Sequence, residues 1–211
     1  MARFVKGDKE TSATEFLTLD AIATKPETVA SHFSRHTGET IVFRPLMPDD
    51  QKRLTTFLED LSPQTRRFST YSGYDQAAAR EFCDAINRYD KLRLVALAGL
   101  RVVALFEFSL YISDFDKDRY RNYGIELNGE TDVRFGPCLA DDYQDRGLGS
   151  DLLPYMTAVA RCLGKRRMIL WGGVLADNHR ALHFYKKNGF RMVGTFQNDQ
   201  SITCHDAILA L

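Results

Sequence analysis

The sequence predicts an α/β fold, a mixed sheet flanked by helices, and three observations lead there. Apolar and β-branched runs alternate along the chain with amphipathic helical stretches. The second half follows the order strand, loop, helix, strand, helix, with Gly147-Leu148-Gly149 where the loop passes into the first of those helices. The apolar share of 44% and the charged share of 27% are those of a globular chain, and exclude a disordered, collagen-like or rod-like one. At 211 residues, against about 150 per domain, the length fits one domain with an extension.

The extension is residues 1–40, rich in Thr, Ser, Glu and Lys. Within it, Thr24-Lys25-Pro26-Glu27 resembles a capping box and Gly38 a stop, which predicts a short helix with Val29 and Phe33 on one face. That helix either covers the main domain or faces the substrate or a second copy of the chain. Residues 41–211 form the main domain. Ile41–Arg44 reads as a strand ended by Pro45. Asp49 or Asp50 can cap a helix whose apolar face is Leu54, Phe57, Leu58 and Leu61. Ser62-Pro63 restarts the chain, and a further helix over Asp75–Tyr89 carries Phe82 and Ile86. Leu92–Ala98 and Val102–Ile112 read as a hairpin, and Ser113–Glu130 as a long connection, either lid-like or partly structured. Val133–Leu139 is a strand. A helix from Leu148 to Leu163 follows, stopped by Gly164 and kinked by Pro154. Met168–Leu175 is a buried strand, Asp177–Asn188 a short helix, and Phe190–Phe196 with Ile202–Leu209 a hairpin around Asn198-Asp199.

Charge and patterning narrow the function. Lys and Arg number 28, as do Asp and Glu, so the basic excess of a nucleic-acid binder is missing. The longest apolar run, Met168–Leu175, is far shorter than the about 18 residues of a membrane span, and the first residues have no apolar core of a signal peptide. A soluble, cytoplasmic protein is expected. Cys83, Cys138, Cys162 and Cys204 have neither zinc-ligand nor CxxC spacing and read as small hydrophobes in a reducing compartment. His179 and His183 stand four apart, but no third ligand accompanies them and no metal is expected. Lys165-Arg166-Arg167 complements a helix end or meets an anionic partner.

The glycines at 147 and 149 carry the chemistry. Amides at a strand-to-helix turn point outward at the positive end of the helix dipole, and glycine lets an anion approach them. Sterics of a tight turn explain the same glycines, so the motif alone leaves both readings open. A GxGxxG dinucleotide site would need a small residue where Leu152 stands, and a P-loop would need a Gly-Lys-Ser/Thr ending that is absent. A second constellation runs Asn178-x-x-Ala181-x-x-Phe184-Tyr185-x-x-x-Gly189-Phe190. Together with Gln144-x-x-Gly147-x-Gly149, and in this order, it resembles the GNAT acyltransferase superfamily over residues 41–211. Phe43-Arg44-Pro45-Leu46-Met47-Pro48-Asp49-Asp50 and Leu61-Ser62-Pro63-Gln64-Thr65-Arg66 look like the acetyltransferase module of bacterial protein-lysine acetyltransferases.

The resemblance implies a GNAT-type, mostly antiparallel sheet of six to seven strands with a splay between the fourth and fifth. It also implies an N-acetyltransferase with acetyl-CoA (coenzyme A) as co-substrate and an amine acceptor, either a protein lysine or a small molecule. The pyrophosphate would lie on the amides of Asp145, Arg146, Gly147, Leu148, Gly149 and Ser150 after Gln144, with Asn178 and Arg180 nearby. The pantetheine arm would run beside Cys138 and Leu139, where a strand edge can pair with its amides and a backbone amide near Leu139 can stabilise an oxyanion. Tyr185 would protonate the departing thiolate. Where the lysine acetyltransferases carry a glutamate in the fourth strand, this chain has Arg134, so Asp132 and Glu107 on neighbouring strands are the candidate bases. A CoA-binding sensor without turnover is the competing function. A homodimer is one assembly open to the chain; nucleic acid and membrane are not expected partners.

Overall fold

A computed structural model of the protein describes residues 16–69, 71–85 and 91–211. It contains a nine-stranded sheet in the order β1-β2-β3-β4-β5-β6-β9-β7, with β8 paired to β9. All pairings are antiparallel except β5 with β6. The α/β class and the mostly antiparallel sheet are as the sequence indicates. The two strands beyond seven arise because residues before 41 supply an extra edge strand and because the run Met168–Leu175 is broken in two.

The N-terminal segment differs from expectation. Instead of one helix over residues 24–38, helix α1 (Leu19–Thr24) is followed by a 3-10 turn (Pro26–Val29) and strand β1 (Ser31–Ser34). The cause lies in what Val29 and Phe33 bury. Val29 caps the core, Ala30 turns extended at ψ 146°, and Phe33 stacks on Tyr155 at 5.0 Å while its backbone pairs with Ile41. Gly38, at φ +82°, closes the turn into β2 (Thr40–Pro45) rather than ending a helix.

Helices cover both faces. Strands β3 (Lys91–Ala98), β4 (Arg101–Ser109) and β5 (Asp132–Leu139) send Leu94, Phe106, Phe108, Val133 and Phe135 to one side. There they pack on Leu148, Leu152 and Met156 of α6 (Leu148–Cys162), which runs on through Pro154, and on Tyr185 of α7 (His179–Lys187). Val95, Leu105 and Cys138 point to the other side, against Leu54, Phe57 and Leu58 of α2 (Gln51–Asp60) and Ala79 and Phe82 of α4 (Gln76–Asp84). Helix α3 (Pro63–Phe68) lies between those two in sequence, capped by Ser62. The end of the helix predicted over Asp75–Tyr89, with Ile86, lies outside the described residues. The connection after β4 contains α5 (Asp114–Arg121), capped by Ser113, so it is partly structured. Strand β8 (Arg191–Gln197) and strand β9 (Thr203–Ala210) form the last hairpin.

One buried charge fixes how α2 leaves the sheet. The Asp50 carboxylate does not cap α2; it turns back to accept two bonds from Arg44, at 2.6 and 2.8 Å, one from the Met47 amide at 2.9 Å and one from Arg53 at 3.1 Å. Burial pushes this carboxyl's pKa up, but the bonds from Arg44, Met47 and Arg53 outweigh it and hold the pKa below the ordinary value. A depressed folded-state pKa adds stability above the unfolded value, near about 3.9, and that stability is lost as pH falls through the folded one. Asp50→Ala, which leaves Arg44 without its partner, is expected to cost about 3 kcal/mol in urea unfolding at pH 7. The gap from wild type should narrow as the pH is taken below about 4.

Candidate active site

The sheet opens at β5. Strands β5 and β6 (Arg167–Leu170) pair in parallel from Asp132 opposite Arg167 to Phe135 opposite Leu170, and the ladder ends where the Trp171 amide donates to the Phe135 carbonyl at 2.9 Å. Gly172 and Gly173 follow at φ +72° and +70°, a left-handed pair that turns the chain away from β5. Gly173 is also required by space: a Cβ there would lie 2.8 Å from the Phe196 ring and 2.9 Å from the His205 carbonyl. The chain resumes as β7 (Val174–Leu175), paired to β9 instead. Residues 136–139 of β5 keep β4 on one side and face a gap on the other.

Strand alternation says what that open edge offers. The Phe135 carbonyl faces β6, and the Ala140 amide donates to Val103 of β4, so Pro137 and Leu139 turn their backbone groups into the gap. Pro137 thereby spares no ladder donor. The Leu139 carbonyl is held by Gln144 Nε2 at 2.9 Å, which leaves the Leu139 amide as the donor aimed into the opening.

A cleft of about 390 Å³ passes through this gap and joins the two faces of the sheet. At one end, residues 145–149 wind into α6. Asp145 at φ +57° and Gly147 at φ +83° are both left-handed, and no side chain caps the helix, so its first amides are unfilled. Gly149 packs under Phe184, whose ring would stand 3.1 Å from a Cβ. Arg180, His183 and Lys187 of α7 line the same end, and Arg180 is paired with Asp145 at 2.9 Å on the exposed rim. Asn178 caps α7, its side-chain oxygen accepting from the Ala181 amide at 3.1 Å. This donor-rich end suits an anionic group, and the open strand edge suits an amide-bearing chain.

Tyr185 stands between the two halves. Its ring packs against Phe190 at 5.0 Å, and burial pushes its phenol above the ordinary value. Among the described residues the hydroxyl has no protein hydrogen-bond partner, and it belongs to the cleft wall. On the other face of the sheet, Glu107 lies opposite Gly136, buried, with Arg93 Nε 2.6 Å from one carboxylate oxygen. Beside it Tyr71 bonds to Cys138, and burial, partly offset by that bond, pushes the Cys138 thiol up to about 12.

Of the expected site residues, Cys138, Leu139, Gln144, Asp145, Gly147, Leu148, Gly149, Ser150, Asn178, Arg180, Tyr185 and Glu107 all line this cleft. Two do not. Arg146 is exposed, and its carbonyl is turned to the back of the loop. Asp132 is at the far end of β5, outside the cleft, buried and held by Arg167 at 2.6 Å and by the Asn128 amide at 2.7 Å, where it anchors the β5–β6 ladder. Arg134 is also occupied, bonded to Ser109 Oγ at 2.8 Å and stacked 4.7 Å from the Trp171 ring centroid. Sequence reasoning missed Trp171 as a wall residue, for which adjacent glycines inside an apparent strand were the available signal. Tyr71 is one of five tyrosines, with Tyr74, Tyr111, Tyr120 and Tyr123, open to an acceptor-pocket role in the sequence, and of these five it alone lines the cleft.

The sequence profile of the acetyltransferase (GNAT) family matches residues 56–190, more than half of the chain. The chain belongs to the GNAT acetyltransferase family. A curated Pseudomonas aeruginosa acetyltransferase is 30% identical over 131 residues, 62% of this chain and 65% of that protein. The match therefore spans just under two thirds of that relative's length. Among solved structures, the GNAT domain of S. lividans PAT superposes with a TM-score of 0.67 at 22% identity, covering 88% of this chain and 99% of that one. AAC(6')-Ib, in complex with ribostamycin and coenzyme A, gives 0.63 at 14% identity, covering 81% and 93%. These likenesses concern the fold of this GNAT chain. Among its described residues, no helix is long and apolar enough to cross a membrane, and no group of three or more His, Cys, Asp or Glu side chains is placed to hold a metal ion.

The state of Cys138 yields a direct test. A thiol with a pKa near 12 is only about one part in ten thousand thiolate at pH 8. Alkylation at that pH should label the exposed Cys162 first and leave Cys138 unmodified. Mass spectrometry after incubation with acetyl-CoA should find no acetyl group on Cys138.

Proposed function

We propose that the protein is an N-acetyltransferase that takes acetyl-CoA at the α6 end of the cleft and a primary amine, on a protein lysine or a small molecule, at the Glu107 end. The observation that carries this reading is the continuity of one cleft past three features: the uncapped start of α6, the open edge of β5 and the Tyr185 hydroxyl. The residues fit the cofactor chemically. Unfilled amides and the Arg180 side chain answer a pyrophosphate, and the free Leu139 amide with the Pro137 carbonyl answers a pantetheine amide group. Acetyl-CoA supplies, when bound, an activated thioester from which the acetyl group passes to the amine without a covalent enzyme step.

The chain's own groups divide the proton work. An alkyl ammonium with a pKa near about 10.4 must lose a proton before it is nucleophilic. Glu107, the buried carboxylate among the described residues that line the cleft, accepts that proton, directly or through water. Tyr185, kept protonated by burial, donates from its hydroxyl to the leaving sulfur. The Leu139 amide stands ready where negative charge develops on the acyl oxygen. Arg134, in the position where the lysine acetyltransferases have a glutamate, is engaged with Ser109 and Asp116 and takes no part.

The test is release of free thiol from acetyl-CoA with a panel of amines, compared between wild type and two variants. Tyr185→Phe keeps the ring and removes the donor, and should lower turnover by about a hundredfold with acetyl-CoA affinity little changed. Glu107→Gln should lower the rate more at pH 7 than at pH 9, where more of the amine is already free. Tight CoA binding by wild type with no turnover on any acceptor would favour a CoA sensor instead.

A further inference from the structure

The loop that begins α6 is held from behind by the turn between β1 and β2. Arg35, at the end of β1, has a side chain only 3% exposed, and it reaches three acceptors. Its Nη2 donates to the Arg146 carbonyl, its Nε pairs with Asp151 Oδ2 at 3.2 Å, and its Nη1 pairs with Glu39 at 3.4 Å. Glu39, across the turn, also accepts from the Tyr143 hydroxyl at 2.6 Å. Two residues of one turn therefore grip the loop at its start, at its middle and in the first turn of α6.

We infer that Arg35 is a positioning residue for the cofactor pyrophosphate, acting through the Arg146–Gly147 peptide; the inference rests on the acetyl-CoA reading above. In a trans peptide the carbonyl of one residue and the amide of the next point in opposite directions. Arg35 draws the Arg146 carbonyl to the back of the loop, so the Gly147 amide is turned to the front, alongside the unfilled amides at the start of α6. The left-handed conformations at Asp145 and Gly147, on either side of Arg146, are what let this one peptide plane face backward. Arg35 also neutralises Asp151, a carboxylate in the first turn of α6 that would otherwise oppose an anion at the helix start. Arg35 touches no ligand itself. Its role explains why residues before 41, beyond the part of the chain that matches the family, are built into the sheet beside this loop.

The test is calorimetric binding of CoA, dephospho-CoA and pantetheine to wild type, Arg35→Met and Arg35→Lys. CoA and dephospho-CoA both contain the pyrophosphate and should bind Arg35→Met about tenfold or more weakly, by the same factor. Pantetheine, which lacks the pyrophosphate, should bind as it does to wild type, and Arg35→Lys should recover part of the loss. If Arg35→Met does not fold, Glu39→Gln, which loosens the grip on Arg35 and Tyr143, should show a smaller loss with the same selectivity. CoA bound as tightly by these variants as by wild type would overturn the role of Arg35, as would an equal loss for pantetheine and CoA. Wild-type protein that binds no CoA would instead overturn the acetyl-CoA reading.

Discussion

The site depends on one interruption. Strands β5 and β6 pair for four residues and then part, because Gly172 and Gly173 take left-handed conformations that only glycine adopts without strain. Had the ladder continued, the Leu139 amide and the Pro137 carbonyl would be spent on β6, and the sheet would be closed. Instead the β5 edge is bare on one side, and the cleft crosses the sheet from the α6 face to the α2–α4 face. A strand edge with unpaired amides is normally a hazard for aggregation. Here it is recessed as one wall of the cleft, with residues of α6 and α7 and Tyr71 also lining it.

Around this opening the chain divides its charges. The α6 end has unfilled amides and Arg180, His183 and Lys187; the opposite end has Glu107, tied to Arg93. Tyr185 sits between, its phenol kept neutral by burial. Buried charges that hold the architecture are paired with partly exposed ones: Asp50 with Arg44, Asp132 with Arg167, Arg35 with Asp151. Among the described residues, Glu107 keeps a second carboxylate oxygen and Tyr185 a hydroxyl at the cleft wall. The separation of these anchors from the groups that line the cleft is visible in their positions and not in residue type.

That separation explains how much of the site was legible in the sequence. The turn at Gly147 and Gly149 and the pattern around Asn178 and Tyr185 are local, and local patterns survive folding, so most residues they nominate do line the cleft. Asp132 and Glu107 were indistinguishable as carboxylates on neighbouring strands. Both are buried and paired with an arginine, and only their places in the fold separate them: Glu107 lines the cleft, and Asp132 lies at the far end of β5. The N-terminal helix was misread for a related reason: Val29 and Phe33 suit either a helical stripe or a turn and a strand, and the contact of Phe33 with Tyr155 decides between them. The break in the strand at Met168–Leu175 is also written locally, as the adjacent glycines 172 and 173 inside an apolar run.

The proposed cofactor path runs over the start of α6 and along the open edge of β5. The most direct measurement is the backbone amide spectrum of isotope-labelled protein during titration with CoA. The largest shifts are expected at Gly147, Leu148, Gly149 and Ser150, with a second group at Leu139 and Trp171, and little change along β1 or β8. Saturation of CoA binding with those amides unmoved, or with the shifts centred elsewhere in the fold, would contradict it.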